Sequence, residues 1–278
     1  MPHPLSGQLA GKTALVTGAG RGIGRGIAMI LAQRGAAVCV SDLDARASED
    51  VAAEIVKAGG KAVAAPADVT DQASVNGAAE TAIKKLGKLD ILVGNAGVIG
   101  ARGFEKRERY NEDDWDVTFN VNVKGLVHAA DAVIPHMKER RAGRIINISS
   151  QGGRPPRGVK LVASTITPYL ASKAAAIQFT HALAIELAPF SINVNVVCPG
   201  LLWTPMFEKI AEQNRLLDKS LTGKTVEEVF DISVKARVPL GRPQTPEDVG
   251  RAVAFLASDD ASEITGQALN VNGGSVMS

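Results

Sequence analysis

The sequence has few cysteines, few tyrosines and no long apolar run. Two of its 278 residues are cysteines, Cys39 and Cys198, and each lies in an apolar, strand-like stretch. Cysteines in such stretches are typically small buried apolar residues, which argues against a disulfide or a metal site. No stretch approaches about 18 consecutive apolar residues, so we expect no transmembrane helix.

The sequence also lacks an excess of charge of either sign. Lysine and arginine number 31, aspartate and glutamate 29, and the net charge is +2. This balance gives no strong attraction for nucleic acid or an anionic membrane, and no run of like charges forms a binding tail. The first eleven residues have neither the basic nor the apolar region of a secretory signal. We therefore expect a cytoplasmic protein.

Short apolar runs alternate with longer helical patterns along the chain. Runs such as Ala14-Leu15-Val16 are apolar throughout, which is typical of strands buried on both faces. This β-α-β rhythm predicts an α/β fold whose parallel sheet is covered by helices, in one domain over residues 1–278. Ligands then bind at the carboxyl ends of the strands. The predicted strands are Lys12–Thr17, Ala37–Ser41, Lys61–Pro66, Leu89–Val93, Arg144–Ser149, Ile192–Val197 and Ala268–Val271.

Helical patterns lie between these strands, and two segments interrupt the alternation. Gln151–Pro168 is rich in Gly, Pro, Ser and Thr, and Leu201–Pro243 has mixed composition with weak helical patterning. Each follows the carboxyl end of a strand, so we expect either a lid at the ligand edge or a tolerated surface insertion. The predicted helices are Gly24–Arg34, Ala45–Ala58, Gln72–Leu86, Asp113–Arg140, Tyr169–Ala188 and Pro246–Ala257.

A glycine-rich turn follows the first predicted strand. It reads Thr17-Gly-Ala-Gly-Arg-Gly-Ile-Gly24 and leads into a helix. Glycines here permit a tight turn and close approach of a pyrophosphate, and the helix N-terminus offers N–H groups to phosphates. Glycines also serve ordinary turns, but a position between a buried strand and a helix favours a dinucleotide site. The predicted contacts are Gly18, Arg21, Gly22, Ile23 and Gly24.

Asp42 ends the second predicted strand, 18 residues after Gly24. An acidic residue about 20 residues beyond the last glycine accepts hydrogen bonds from the adenosine ribose of NAD. Its carboxylate would repel the 2′-phosphate of NADP, whereas the guanidinium of Arg21 favours that phosphate. Asp42 occupies the ribose-reading position itself, so NAD is the predicted cofactor. Taken alone, Asp42 also fits a helix N-cap or a turn.

Tyr169 and Lys173 have the spacing of a proton-transfer pair. Residues four apart lie on one helix face, and only one other tyrosine, Tyr110, occurs in the chain. A phenol has a pKa of about 10, which is too high for a base near neutral pH. A nearby ammonium lowers this pKa by stabilising the phenolate relative to the phenol, and a shift of about 3 units requires about 4 kcal/mol of such stabilisation. The pair is therefore expected to perform general acid–base chemistry. A surface tyrosine beside a solvated lysine is the alternative.

Seven short motifs follow one another in a fixed order. They are Thr17-Gly-x-x-x-Gly-x-Gly24, Asp68-Val69, Asn95-Ala96-Gly97, Asn122, Ser150, Tyr169-x-x-x-Lys173 and Pro199-Gly200. In these motifs the sequence resembles the short-chain dehydrogenases/reductases over almost its whole length. The resemblance implies a one-domain, Rossmann-like doubly wound fold of about seven strands, a catalytic Asn/Ser/Tyr/Lys set and a homotetramer.

The resemblance also implies a role for each catalytic residue. Ser150 orients the substrate oxygen toward Tyr169, with Ser149 as the neighbouring alternative. Asn122 holds a water in a proton relay to Lys173; an amide that satisfies backbone groups at a helix irregularity is compatible with that role. Lys173 additionally binds the nicotinamide ribose.

Further cofactor contacts follow from the same resemblance. Asp68 lies beside the adenine, and Asn95 stabilises the sheet near the cofactor. Val69, Ala96 and Gly97 are further cofactor contacts. Pro199 and Gly200 are also cofactor contacts, and Thr204 contacts the nicotinamide carboxamide. No metal is needed, and none of the histidines has metal-ligand spacing. The four histidines are His3, His128, His136 and His181.

Three features depart from the family pattern. The 18 residues between Ser150 and Tyr169 are more than the family usually has there. The segment after Gly200 is longer than in minimal members, and we expect a substrate lid over about 201–243. Gly94 replaces the asparagine that often begins the Asn95 motif, which puts one structural hydrogen bond in doubt. Apolar residues of the lid either line a substrate pocket or pack within the lid. They are Leu202, Trp203, Met206 and Phe207.

These features together predict an NAD-dependent secondary alcohol dehydrogenase acting on a small or medium, partly apolar alcohol or ketone. The alternative enzyme is a 3-oxoacyl-thioester (acyl carrier protein) reductase, which would use NADPH and need basic residues for a phosphopantetheine carrier. The non-enzymatic alternative is a nucleotide-sensing or scaffolding protein that kept the fold and lost catalysis.

Overall fold

The computed structural model describes residues 7–155 and 163–277, which contain a seven-stranded parallel sheet. The strands are β1 Thr13–Thr17, β2 Ala37–Ser41, β3 Lys61–Ala64, β4 Ile91–Gly94, β5 Gly143–Ile148, β6 Ile192–Pro199 and β7 Ala268–Val271. They lie in the order β3-β2-β1-β4-β5-β6-β7, and every neighbouring pair is parallel. The order reverses between β1 and β4, where a doubly wound sheet binds its ligand. The predicted fold class is confirmed.

Helices cover both faces of the sheet. They are α1 Gly22–Gln33, α2 Ala45–Lys57, α3 Gln72–Leu86, α4 Glu112–Phe119, α5 Gly125–Arg140, α6 Ala163–Leu187, α7 Pro205–Leu217, α8 Val226–Arg237 and α9 Pro246–Ala257. Side chains of β1 alternate between two cores: Val16 packs with α1, α2 and α9, and Leu15 packs with α3, α5 and α6. No helix in the described ranges is both long enough and apolar enough to cross a membrane.

Two helices of the structure differ from the prediction: one predicted helix is interrupted, and another begins earlier in the chain. The predicted helix Asp113–Arg140 is interrupted by a π-helical turn at Asn120–Lys124, between α4 and α5. The predicted loop Gln151–Pro168 is wrong at its end, because α6 begins at Ala163 and contains Pro168. Tyr169 therefore lies inside this helix rather than at its start. The middle of that predicted loop, residues 156–162, lies outside the described residues.

The weakly patterned segment Leu201–Pro243 contains α7 and α8. Their apolar faces form a small separate core with Phe207, Val229 and Phe230 among its buried members. A backbone bridge between Leu202 and Gln244 brings the two ends of the segment together. We call residues 201–243 the lid segment, although its function as a lid stays a prediction.

The α1–α9 contact generates a stability prediction. A Cβ on Gly26 of α1 would overlap Pro246 of α9, whereas a Cβ on Gly77 of α3 would meet nothing within 4 Å. Gly26→Ala should lower the free energy of unfolding by about 1–3 kcal/mol through overpacking. Gly77→Ala, the matched control, should raise it by about 0.5–1 kcal/mol through helix propensity. Urea unfolding of both variants measures this, and equal effects of the two substitutions would contradict the close packing.

Candidate active site

The glycine turn brings the N-terminus of α1 close to the carboxyl edge of the sheet. Gly18 has a φ of +62°, and a Cβ there would lie 2.7 Å from the Ala96 Cα atom. A Cβ on Gly24 would overlap the Gly18 carbonyl. Glycine is therefore needed at both positions, because a side chain there would keep the turn and the start of α1 from packing this close to each other and to the segment after β4.

The first turn of α1 differs from that of most other helices. Within the described residues, the Arg21 side chain makes no capping hydrogen bond to it, although Arg21 is the N-cap residue. Side chains do cap α2, α3, α4, α7, α8 and α9, through Asp44, Asp71, Asn111, Thr204, Thr225 and Thr245. The first N–H groups of α1 are therefore available to an anion such as a pyrophosphate.

Asp42 lies immediately after β2, beside the glycine turn. Its Oδ2 atom accepts a hydrogen bond from the Gly20 amide at 2.8 Å, and its Oδ1 atom accepts one from the Asp44 amide at 3.1 Å. These bonds fix the carboxylate, which remains partly exposed. A carboxylate oxygen has more than one lone pair, so Asp42 can still accept hydrogen bonds from a ribose.

Asn95 joins the segment after β4 to the glycine turn. Its Nδ2 atom donates to the carbonyls of Thr17 and Gly18, both at 2.9 Å. The backbone amides of Asn95 and Ala96 donate to the Thr17 hydroxyl at 3.0 and 3.2 Å. These bonds hold the two segments that border the crevice at a fixed separation.

Tyr169, Ser150 and Lys173 meet at the carboxyl end of β5. The side chains of Tyr169 and Ser150 lie together, because a Cβ on Gly152 would be 3.5 Å from the Ser150 Oγ atom and 4.0 Å from the Tyr169 Cε1 atom. The Lys173 Nζ atom lies 5.8 Å from the centre of the Tyr169 ring. Lys173 is 4% exposed and donates to the Ile148 carbonyl at 3.0 Å. The structure therefore brings together three of the four predicted catalytic side chains.

Burial governs the ionisation of the Tyr169–Lys173 pair. Burial raises the pKa of Tyr169, and the hydrogen bond with Ser150 acts in the opposite direction. This net direction is opposite to the lowering expected from Lys173, because the buried phenolate loses hydration. Burial lowers the pKa of Lys173 to about 8. An amine with this value is mostly an ammonium at pH 7.

Asn122 lies in the π-helical turn and is fully buried. Its Oδ1 atom accepts from the Val98 amide, and its Nδ2 atom donates to the Val98 carbonyl, both at 2.8 Å. The same Nδ2 atom donates to the Ser172 hydroxyl at 3.0 Å. A Cβ on Gly97 would lie 3.3 Å from both the Asn122 Oδ1 and the Lys173 Nζ atoms. The fourth predicted catalytic residue is thus adjacent to Lys173, at a helix irregularity as expected.

The structure separates the two serine candidates. Ser149 is 4% exposed and donates its hydroxyl to the Lys173 carbonyl at 2.7 Å, which is a structural bond. Ser150 accepts from the Gly152 amide at 3.0 Å and contacts the side chain of Tyr169. Only Ser150 therefore has its hydroxyl beside the phenol.

The remaining predicted contacts also lie after strand ends. Gly200 donates its amide to the Val271 carbonyl at 3.0 Å, and the Thr204 Cγ2 atom lies 4.0 Å from where a Gly22 Cβ would be. The chain after β6 thus returns to the glycine turn. Asp68 accepts from the Thr70 amide at 2.9 Å, and Val69 is buried against Gly125 of α5.

Comparisons with known proteins agree with this geometry. A family model described as Enoyl-(Acyl carrier protein) reductase matches residues 18–276. The chain belongs to the short-chain dehydrogenase/reductase family. The BbsD subunit of (2S)-[(R)-hydroxy(phenyl)methyl]succinyl-CoA dehydrogenase from Thauera aromatica is 37% identical over 266 residues, which cover 96% of this chain and 97% of that protein.

Two further members of the family extend the comparison. The 3-oxoacyl-[acyl-carrier-protein] reductase FabG of Thermotoga maritima is 36% identical over 273 residues, covering 97% of this chain and all of that protein. The crystal structure of levodione reductase has a TM-score of 0.84 and 26% identity, and covers 96% of this chain and 98% of the other. Short-chain dehydrogenases/reductases are oxidoreductases that bind a nicotinamide cofactor and act on small molecules, and this holds for the present chain.

The departure at Gly94 has a structural explanation. A Cβ at this position would lie 2.6 Å from the Leu126 Cδ2 atom and 2.7 Å from the Asn147 Oδ1 atom. Leu126 and Asn147 therefore fill the space that a larger side chain would need. Asn147 in turn donates to the Thr180 hydroxyl of α6 at 2.9 Å.

Four apolar residues of the lid segment had two possible roles. Leu202 and Phe207 are buried in hydrophobic cores, which favours packing for these two. Trp203 is 39% exposed and contacts Phe230 edge to face at 5.2 Å between ring centres. Met206 is partly exposed. Trp203 and Met206 therefore remain candidates for substrate contact.

Two further residues at this site are buried: no sequence pattern marked Ser172, and the apolar context of Cys198 indicated only its burial. Ser172 accepts from Asn122 and donates to the Tyr169 carbonyl at 2.7 Å, so it links two predicted catalytic residues. Cys198 of β6 is buried and forms no disulfide with the other cysteine, and burial raises the pKa of its thiol. No group of three or more potential metal-ligating side chains occurs among the residues that the structure describes.

The buried amine of Lys173 generates a prediction about stability. Its folded pKa of about 8 lies below the unfolded value of about 10.4, so the unfolded chain binds more protons between these values. The contribution of Lys173 to the free energy of unfolding therefore rises with pH across that window. Lys173→Met should stabilise the chain at pH 7 by about 1–3 kcal/mol, and this advantage should shrink as pH approaches 10.

Urea unfolding from pH 7 to pH 10 measures this effect. The exposed Lys57 at the end of α2 provides the control, and Lys57→Met should change stability by less than about 0.5 kcal/mol. A Lys173→Met chain that is less stable than the wild type at every pH would show that the lost bond to Ile148 outweighs the relief of burial.

Proposed function

We propose that the chain is an NAD-dependent dehydrogenase of secondary alcohols, acting in reverse on ketones. The observation that carries the proposal is the meeting of Tyr169, Ser150 and Lys173 at the carboxyl end of β5. A dehydrogenase needs a proton acceptor beside the hydride acceptor, and this cluster lies beside the crevice between β1 and β4. A domain over residues 1–278, a homotetramer and a cytoplasmic location accompany the proposal as predictions.

The crevice has the features that a nicotinamide dinucleotide requires. The first amides of α1 have no side-chain cap from Arg21 and can donate to a pyrophosphate, and glycines at positions 18 and 24 allow α1 to begin close to the crevice. The fixed carboxylate of Asp42 accepts the ribose hydroxyls and disfavours a 2′-phosphate. Asp68, Asn95 and Thr204 border the same edge. When bound, the nicotinamide supplies the acceptor for the hydride.

The residues of the chain then handle the proton. In alcohol oxidation the substrate hydroxyl would lie against Tyr169 and Ser150, and its proton would pass from the hydroxyl oxygen to the Tyr169 phenolate while the carbon that bears this hydroxyl gives up its hydride. Ser150 orients the substrate oxygen, because its hydroxyl contacts the phenol. The Lys173 ammonium favours the phenolate, which offsets part of the cost of burial. Reduction of a ketone reverses both transfers.

The substrate is expected to bind beneath the lid segment. Trp203 and Met206 are the partly exposed apolar side chains near its start, which suits a partly apolar alcohol. Thr204 follows Trp203 and lies close to Gly22, so this part of the lid borders both the cofactor and the substrate regions.

A second candidate function is the NADPH-dependent reduction of a 3-oxoacyl thioester. It is favoured by the description of the matching family model and by the 36% identity to FabG of Thermotoga maritima. Asp42 argues against it, because a carboxylate at the ribose position repels the additional phosphate of NADPH. Turnover with NADH and NADPH, measured on the same ketone, distinguishes the two candidates.

Tyr169→Phe tests the proposed chemistry. An alcohol panel with NAD⁺, followed by NADH absorbance, should identify a substrate for the wild type. The variant should then lose kcat by about 10²- to 10⁴-fold, because the general base is removed, with little change in the dissociation constant for NADH. Tyr110→Phe is the control, since Tyr110 is the only other tyrosine and its ring contact with Trp115 is kept. Unchanged alcohol oxidation by Tyr169→Phe would end this mechanism.

Asp42→Asn tests the choice of cofactor. The amide keeps the shape of the side chain and removes the charge, so the ratio of kcat/KM for NADP⁺ to that for NAD⁺ should rise by about tenfold or more. Asp44→Asn is the matched control, because Asp44 lies two residues away and asparagine preserves its capping of α2. A wild-type preference for NADP⁺ would contradict the proposed cofactor directly.

A further inference from the structure

Gln213 is a buried amide within the lid segment. It lies on α7 and is 2% exposed. Its Nε2 atom donates to the Phe104 carbonyl at 2.8 Å and to the Arg107 carbonyl at 3.2 Å, more than 100 residues away in sequence. A buried amide is costly unless it is hydrogen-bonded, so these two bonds define where α7 can dock.

The carbonyls that Gln213 binds belong to a firmly anchored loop. We call residues 98–111 the β4–α4 loop. Arg107 pairs with the 1%-exposed Asp114 of α4 at 2.5 Å, and Asp114 also accepts from the Ala101 amide at 2.8 Å. At its start, Val98 is held by both polar atoms of the Asn122 side chain. The loop thus presents a fixed surface to Gln213.

The topology of the sheet shows what the Gln213 bonds connect. The β4–α4 loop follows β4 and the lid segment follows β6, and these two strands flank β5. Ser150 follows β5 and contacts Tyr169. Hydrogen bonds from Gln213 therefore join the segments on either side of Ser150 and Tyr169.

We propose that Gln213 is a positioning residue that latches α7 to the β4–α4 loop, so that the two segments flanking Ser150 and Tyr169 hold the substrate as one unit. The substrate in this inference comes from the proposed function, and the contact between α7 and the loop comes from the two hydrogen bonds of Gln213. Gln213 acts through the docking of α7 and not through contact with the reacting atoms. Its loss should therefore change KM more than kcat.

Two substitutions separate hydrogen bonding from packing. Gln213→Met keeps the length of the side chain and removes both donors, and Gln213→Glu keeps the shape but turns an oxygen toward the two carbonyls. Gln267→Met is the matched control. The exposed Gln267 donates to the Thr265 carbonyl at 3.2 Å. It precedes β7 and so lies at the amino-terminal ends of the strands, whereas the lid segment and the β4–α4 loop follow their carboxyl ends.

Amide hydrogen exchange of the full chain measures how firmly α7 is docked on the β4–α4 loop, and it needs no substrate. In Gln213→Met the amides of residues 101–107 and 205–217 should exchange about tenfold faster, with β4 and β5 unchanged. With the alcohol found in the panel, KM should rise about tenfold while kcat stays within about twofold. Gln213→Glu should match or exceed these changes, and Gln267→Met should show neither.

Three results would overturn the latch. They are unchanged exchange of residues 101–107 in Gln213→Met, an unchanged KM despite faster exchange, and wild-type behaviour of Gln213→Glu, which would assign the effect to packing. Failure of the proposed function is distinguishable from all three. A wild-type chain that oxidises no alcohol with NAD⁺ or NADP⁺ would remove the dehydrogenase proposal, while Gln213-dependent exchange would still support the latch.

Discussion

The side-chain amide of Asn122 joins the three segments from which the site is built. It offers an acceptor and a donor to the backbone of Val98, and it donates a further bond to Ser172. Val98 begins the loop after β4, and Ser172 lies between Tyr169 and Lys173 on α6. Because the amide is fully buried, loss of any of these bonds leaves polar groups unpaired in a low-dielectric environment. The spacing between the crevice and the Tyr169–Lys173 pair therefore depends on this amide.

Asn122 requires a local break in helical regularity. The π-helical turn at Asn120–Lys124 separates α4 from α5, and such turns frequently occur at functional sites. A Cβ on the nearby Gly97 would lie only 3.3 Å from the Asn122 Oδ1 atom and 3.3 Å from the Lys173 Nζ atom. The buried ammonium of Lys173 has a cost in stability, because burial disfavours its charged form. In the proposed function Lys173 serves proton transfer, which would account for a buried ammonium that folding alone does not favour.

Much of the fold was predictable because buried parallel strands are marked by continuous apolar runs. Two strands, β2 and β7, and two helices, α3 and α9, have the predicted bounds. The lid segment was underestimated, since short helices with narrow apolar faces give little periodicity. Yet Thr225 and Glu228 form a capping box that the sequence displays, so the start of α8 had a readable signal. The break at Asn120–Lys124 was indicated only by the resemblance at Asn122, because the apolar pattern predicted one continuous helix over Asp113–Arg140.

The site was predictable in its residue types and less so in its energetics. Tyr169, Ser150, Lys173 and Asn122 meet as the motifs indicated, because each motif follows or faces the end of a buried strand. The choice between Ser149 and Ser150 required coordinates, since neighbouring residues at a strand end point in different directions. The net direction of the Tyr169 pKa also required them, because burial depends on the whole packing environment and not on the spacing of Tyr169 and Lys173.

The features in which this chain departs from the family pattern include the lid segment, which lies outside the glycine turn and the Tyr169–Lys173 pair. Its relatives at 36–37% identity include a CoA-substrate dehydrogenase and an acyl-carrier-protein reductase, so the shared motifs do not select the substrate. Selection must then arise where the chain can vary without disturbing Asn122 and Asn95. The lid segment meets this condition, because its own small core and its Leu202–Gln244 bridge allow it to fold as an insertion on the sheet. Such an insertion still needs a fixed orientation on the sheet, and the hydrogen bonds of the buried Gln213 amide to the Phe104 and Arg107 carbonyls supply one contact that restricts it.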